Sequence, residues 1–153
     1  MRRVAMISLS ILLVASGSVP SKPGPREKCP VCGMFVARYP DWIAEVVLRD
    51  GTRLHFDGPK DMIRFWLDPA RFLPSRNRGE LESAFVTDYY ALTSIDACTA
   101  FFVLGSDVLG PMGRELIPFA KRAEAEEFLH DHGGSRIVAF DDVTAELLEG
   151  LDR

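Results

Sequence analysis

The chain has 153 residues, with 18 basic side chains against 22 acidic ones and a net charge of −4 at neutral pH. That acidic balance argues against nucleic acid and anionic lipid as electrostatic partners. Three cysteines are too few for a disulfide scaffold, so an apolar core has to carry the stability.

In chain order, Arg2 and Arg3 precede the apolar run VAMISLSILLVA, which gives way to the small residues Ser16, Gly17 and Ser18. Basic, greasy and small segments in that sequence form a secretory signal peptide, expected over residues 1–18. The run is short for a membrane span. Ser16 and Ser18 stand where a lipidation Cys would have to be, so the expected product is exported, periplasmic and without a lipid anchor. Removing the leader takes away two arginines and brings the net charge to −6. The proline-rich stretch SKPGPREK then reads as a linker over residues 19–28.

Beyond the linker the pattern predicts an α+β fold of two similar strand-strand-helix-strand units, residues 29–90 and 91–153. IAEVVL and TRLHF flank Asp50-Gly51, whose glycine supplies the positive backbone angle of a tight two-residue turn. Asp57-Gly58-Pro59 stops the second strand and opens a helix, KDMIRFWL. There Met62, Phe65 and Trp66 recur at helical spacing before Asp68-Pro69 ends the run. AFVTDYY follows as a strand.

The second unit repeats the order with ACTAFFVLG, RELIPF, a helix AKRAEAEEFLHDH closed by Gly133-Gly134, and RIVAF. Phe56 and Phe65 flank the first strand-to-helix junction, and Phe119 and Phe128 flank the second at the same separation, as a duplication would leave them. Thr144 caps a last short helix, AELLEGL.

The chemistry concentrates in CPVCGM, residues 29–34. A structural zinc site needs four ligands, and the only other cysteine, Cys98, lies in an apolar strand pattern that predicts a buried thiol. Covalent haem needs a His after the second Cys, and Gly33 is there instead. A thioredoxin-type redox pair should cap a helix that follows a buried strand, whereas this pair follows a proline-rich linker. A Cys29–Cys32 disulfide remains open for an exported chain.

The favoured reading is a Cu(I) site with Cys32, Met34, Met112 and Cys29 as its candidate ligands, because thiolate and thioether donors select a soft monovalent ion. Cys32 and Met34 are one residue apart and in an extended segment face the same side. Met112, in VLGPMGRE, sits among Gly110, Pro111 and Gly113, which prevent a regular element and leave its thioether on a loop tip. Met62 belongs to the helical stripe and is expected in the core. His55, His130 and His132 read as structural, the last two favoured at a helix C-terminus by the dipole. Tyr89 and Tyr90 end a strand and either border a pocket or pack at an edge.

CPVCGMFVARYPDW, FDGPKDM, FVTDYY and GSDVLGPMGRELIPF, in this order, resemble the NosL-type accessory proteins of nitrous-oxide reductase over nearly everything from Cys29 to the end. The resemblance implies an extracytoplasmic Cu(I)-binding chaperone, not an enzyme, that passes copper to the assembly proteins of the reductase's copper centres. It also implies a fold like that of organomercurial lyase. The family's Cys-Gly-Met motif falls on Cys32, Gly33 and Met34, and its Gly-flanked Met on Met112. Members of the family are commonly lipoproteins, and the missing lipidation Cys is the one departure. The lyase-like fold adds an enzyme alternative, with Cys29 or Cys32 as nucleophile and Asp57 as the nearby acid. A thiol-redox or disulfide-bearing interaction protein is the other alternative.

Overall fold

The computed structural model describes residues 20–152, so the expected signal peptide lies outside the described residues. Nine strands and four α-helices follow in order: β1 Ala44–Leu48, β2 Arg53–Phe56, α1 Pro59–Leu67, α2 Pro69–Phe72, β3 Leu81–Thr87, β4 Ser94–Asp96, β5 Phe101–Leu104, β6 Leu109–Gly110, β7 Gly113–Arg114, β8 Ile117–Phe119, α3 Arg122–Asp131, β9 Arg136–Ala139 and α4 Ala145–Leu151. The first sheet has the order β2-β1-β3-β4 and the second β8-β5-β9, antiparallel throughout. In each, the first strand of a strand-strand-helix-strand run sits between the other two, which is the expected α+β architecture. β4 extends the first sheet from beyond Tyr90.

The second sheet is covered on both faces. Phe102 and Leu104 of β5 join the large core built from β1, β3, α1 and α4, while Val103 joins Ile117, Phe119, Ala125 and Phe128 under α3. Alternation along a strand sends successive side chains to opposite faces, so a strand buried on both sides must read as an unbroken apolar run. FFVL is that run.

Several boundaries differ from the sequence expectation for identifiable reasons. Asp50-Gly51 belongs to a three-residue loop, because Leu48 N–H donates to the Thr52 carbonyl at 2.9 Å and Gly51 takes the left-handed conformation at φ 83°. β3 runs from Leu81 and stops at Thr87, since the Asp88 carboxylate accepts the amides of Tyr90, Ala91 and Ala120 and turns the chain away from the ladder.

Residues Ala97–Thr99 form a 3₁₀ turn in which Asp96 accepts the Cys98 amide at 2.8 Å. Cys98 is therefore exposed, and the expected buried thiol is corrected. RELIPF is split into β7 and β8 because Glu115 turns inward. By contrast, α4 begins where expected, with the Thr144 hydroxyl accepting the Leu147 amide.

The linker expected over residues 19–28 lies on the first sheet where it is described. Ser21 N–H and Oγ both donate to Glu45, and Glu27 meets His55 Nδ1 at 2.7 Å. His55 is buried between these two carboxylates, so its structural assignment stands, with its ring tying the N-terminal segment to β2.

Glu115 supplies a testable consequence of the packing. It is fully buried, and although the Leu116 and Lys60 amides donate to it, burial pushes its carboxyl up to about 8 from an ordinary value near 4.5. Between those values the unfolded chain loses this proton while the folded chain keeps it, so stability falls as pH rises through the window. The expected loss is on the order of a few kcal/mol, seen in denaturant titrations at several pH values. Glu115→Gln should flatten that slope, and an unchanged slope would refute the assignment.

Candidate metal centre

CPVCGM folds as a tight turn. Cys29 N–H donates to the Met34 carbonyl at 2.9 Å, Gly33 N–H donates to the Cys29 carbonyl at 2.9 Å, and an isolated bridge joins Lys28 to Phe35. Gly33 closes it at φ 78°, a left-handed angle that glycine adopts without a Cβ penalty. The turn aims backbone amides at sulfur: Val31 and Cys32 N–H face Cys29 Sγ, and Met34 N–H faces Cys32 Sγ. Amides directed at a sulfur favour its thiolate form.

Two carboxylates approach the same sulfurs from the start of α1. Cys32 Sγ donates to Asp57 Oδ1 at 3.2 Å, and Cys29 Sγ lies 3.6 Å from Asp61 Oδ2. One ligand atom from each of Cys29, Cys32, Asp57 and Asp61 falls within 4.8 Å of all the others. Burial, with added hydrogen bonding and repulsion from Asp57, pushes the Cys29 thiol up to about 12, and burial pushes the Cys32 thiol up as well. Arg64 Nη1 holds the far oxygen of Asp61 at 3.1 Å. Asp57 is completely buried, and its Oδ2 has no hydrogen-bond partner among the described residues.

The structure brings Cys29 and Cys32 together, both as free thiols. Cys29 is core and Cys32 is half-buried, so the cluster opens to solvent on the Cys32 side. Met34 lies in the same turn and gives it both backbone groups.

Met112 is the tip residue of the β6–β7 hairpin and is 41% exposed, in a short ladder where Gly110 pairs with Gly113. Its carbonyl accepts from the buried Lys60 Nζ at 2.8 Å, and Glu115 accepts the Lys60 amide at 2.7 Å. Two polar contacts, one of them buried, therefore dock the hairpin on the first turn of α1, the helix that carries Asp61. Gly58 permits the approach, since a Cβ there would sit 2.5 Å from Glu115 Oε2.

Met62 is in the core, as expected. His132 caps α3, with its ring stacked 4.2 Å from that of Phe128 and Nδ1 2.9 Å from Asp107. Tyr89 and Tyr90 pack on Phe119 and Phe128.

Sequence reasoning singled out Asp57 only as an acid for the enzyme alternative and passed over Asp61, Lys60 and Glu115. Asp57 just precedes the Gly58 cap of α1 and Asp61 lies in its first turn, so both stand at one helix start, and that was the available signal. The nucleophile reading wants a thiol of depressed pKa, and here burial moves both upward.

The family model described as NosL matches residues 20–148. The chain belongs to the NosL family. It is 29% identical over 128 residues to the copper-binding lipoprotein NosL of Stutzerimonas stutzeri, covering 80% of this chain but 65% of that relative's length. The crystal structure of the copper chaperone NosL from Shewanella denitrificans superposes with a TM-score of 0.71 at 25% identity, over 84% of this chain and 97% of that one. The solution structure of apo-NosL from Achromobacter cycloclastes gives 0.50 at 26% identity, over 69% and 87%. This chain therefore has the NosL fold.

Proposed function

We propose that this NosL-family chain is an exported Cu(I) metallochaperone, acting in the periplasm and handing its ion to the copper-centre assembly proteins of the nitrous-oxide reductase system. The observation that carries the reading is the pair of free sulfurs in an amide-lined turn, one buried and one half-exposed. The relatives' names support copper as the cargo, and they are the names of binding proteins rather than enzymes. The name of the Stutzerimonas stutzeri relative, a lipoprotein, fits an exported protein, and no helix among the described residues is long and apolar enough to cross a membrane.

Cys32 takes the ion first, being the accessible thiol, with Cys29 behind it. Met34 in the turn and Met112 on the hairpin supply neutral thioethers, which keep the ligand field soft and the added charge low. Few strong bonds and an exposed face leave room for an acceptor's sulfur or imidazole, so the ion can pass by ligand exchange without being freed.

The deciding experiment is an anaerobic titration of the reduced protein with Cu(I) in competition with a chromophoric chelator. One ion per chain, transferable to an apo copper-binding domain of an assembly protein, is the expected result. Failure to compete with the chelator at any protein excess would end the reading.

A further inference from the structure

We propose that Lys60 is a positioning residue for the Met112 thioether: its buried ammonium holds the Met112 carbonyl and so fixes where the tip of the β6–β7 hairpin stands. The inference rests on the reading of Met112 as a copper ligand given above.

The hairpin has little of its own to hold it. Its ladder consists of two residue pairs, Leu109 with Arg114 and Gly110 with Gly113. A two-stranded ribbon is marginal in water even at greater length. Packing adds little, since Leu109 is 63% exposed and Met112 is exposed as well. The support comes from α1, at two places. Glu115, just beyond β7, accepts the Lys60 amide at 2.7 Å and anchors the base of the hairpin. Lys60 Nζ donates to the Met112 carbonyl at 2.8 Å and anchors the tip. The thioether hangs from the residue whose carbonyl is held, so freeing that carbonyl frees the sulfur.

Packing and local preference both argue against a lysine here unless it has such a task. Lys60 is 1% exposed, and lysine is almost never fully buried without a partner. It is also the second residue of α1, where the helix dipole disfavours a cation. An apolar side chain would fill the space without the cost of desolvating a charge. What it would lack is a directed donor for a loop-tip carbonyl. The counter-charge is Asp152 at the end of α4, whose Oδ1 lies 3.2 Å from Nζ and whose other oxygen meets Arg64.

The test is Lys60→Met, similar in length but without a donor, in which Asp152 keeps Arg64 as its partner. In the copper-free protein, hydrogen exchange of the 109–114 amides should quicken roughly 10- to 100-fold, the factor that one hydrogen bond to a charged group is worth, with β1 and β3 unchanged. Cu(I) affinity in the anaerobic chelator competition should fall by about 10- to 100-fold, as when an outer partner of a metal ligand is lost. X-ray absorption should report one sulfur fewer at copper than in the unaltered protein. The double variant with Met112→Leu should bind like Met112→Leu alone, because both changes remove the same donor. A merely structural lysine would give losses that add. Additive losses, an unchanged sulfur count or unchanged hairpin exchange would each overturn the proposal. Should Lys60→Met fail to fold, nitrogen-15 spectra of the unaltered protein decide: the Lys60 ammonium protons should exchange slowly and lie in contact with the Met112 backbone, and an ammonium without that contact would refute the hold. Failure of the unaltered protein to bind Cu(I) would fall on the copper reading instead, since the exchange measurement contains no copper.

Discussion

Cys32→Ser is expected to abolish stoichiometric Cu(I) binding. The exchange keeps size and replaces the accessible soft donor with a hard hydroxyl, which a monovalent soft ion does not select. Its surroundings predict a folded variant, because Cys32 is half-buried and a hydroxyl can still donate to Asp57 Oδ1, now 3.2 Å from sulfur. Met112→Leu, close in volume and on an exposed hairpin tip, should weaken binding with no change in melting temperature. Cys29→Ser distinguishes two ligand sets: loss of binding there as well means that both thiolates hold the ion, and retention means that Cys29 serves the turn. A Cys32→Ser protein that holds Cu(I) as tightly as the unaltered chain, in anaerobic competition, would remove the thiolate from the mechanism.

The largest expected effect on stability is that of Phe128→Ala. Phe128 is fully buried, with ring centroids 5.1 Å from Phe119, 5.0 Å from Tyr89 and 4.2 Å from His132. Removing a buried ring forfeits its transfer energy and leaves a cavity, about 3–5 kcal/mol in all, against a total stability of about 5–15 kcal/mol for a domain. A fall in melting temperature of roughly 10–20 °C follows. Phe65, which meets Phe56 at 5.3 Å in the first unit, should show a comparable loss when truncated. The Phe128 cluster contains neither thiol of the metal centre. Copper binding below the melting temperature should therefore survive, and a loss under about 1 kcal/mol would show that the cluster is looser than its geometry.

Much of the fold was legible because period and punctuation agreed. Met62, Phe65 and Trp66 marked α1, Gly133 its counterpart's end, and Thr144 the start of α4. Two of the misjudged boundaries share one cause, a polar side chain that captures backbone groups from another segment. Asp88 gathers three amides across the chain, and Glu115 turns inward to meet α1, and no local pattern announces either partner. Cys98 alternated correctly within an apolar run, yet Asp96 two residues earlier made a capped turn of it.

At the candidate metal centre the CPVCGM turn was plain in the sequence. Asp57 and Asp61 were not, because carboxylates at a helix start are expected there anyway for the dipole and raise no suspicion. Their burial is a tertiary fact, created by the turn that folds over them. His55 was rightly set aside as structural, but its partner Glu27 lay in a stretch that looked like a solvated tether.

The two-faced burial of β5 has a consequence for the order in which the molecule can be assembled. The N-terminal unit, once made, has β1, β3 and α1 but lacks Phe102, Leu104, Leu116, Phe140 and Leu148, which complete the same core from the other half. Until those residues arrive, the apolar face of the first sheet stays open to water, and the cysteine turn rests on an unfinished support. Contacts so far apart in sequence close late, because the loop entropy must be spent before they repay it. The thiols are therefore committed to their final geometry only when almost the whole chain is present, and a shortened chain that retains CPVCGM would carry the motif without the vessel that holds it.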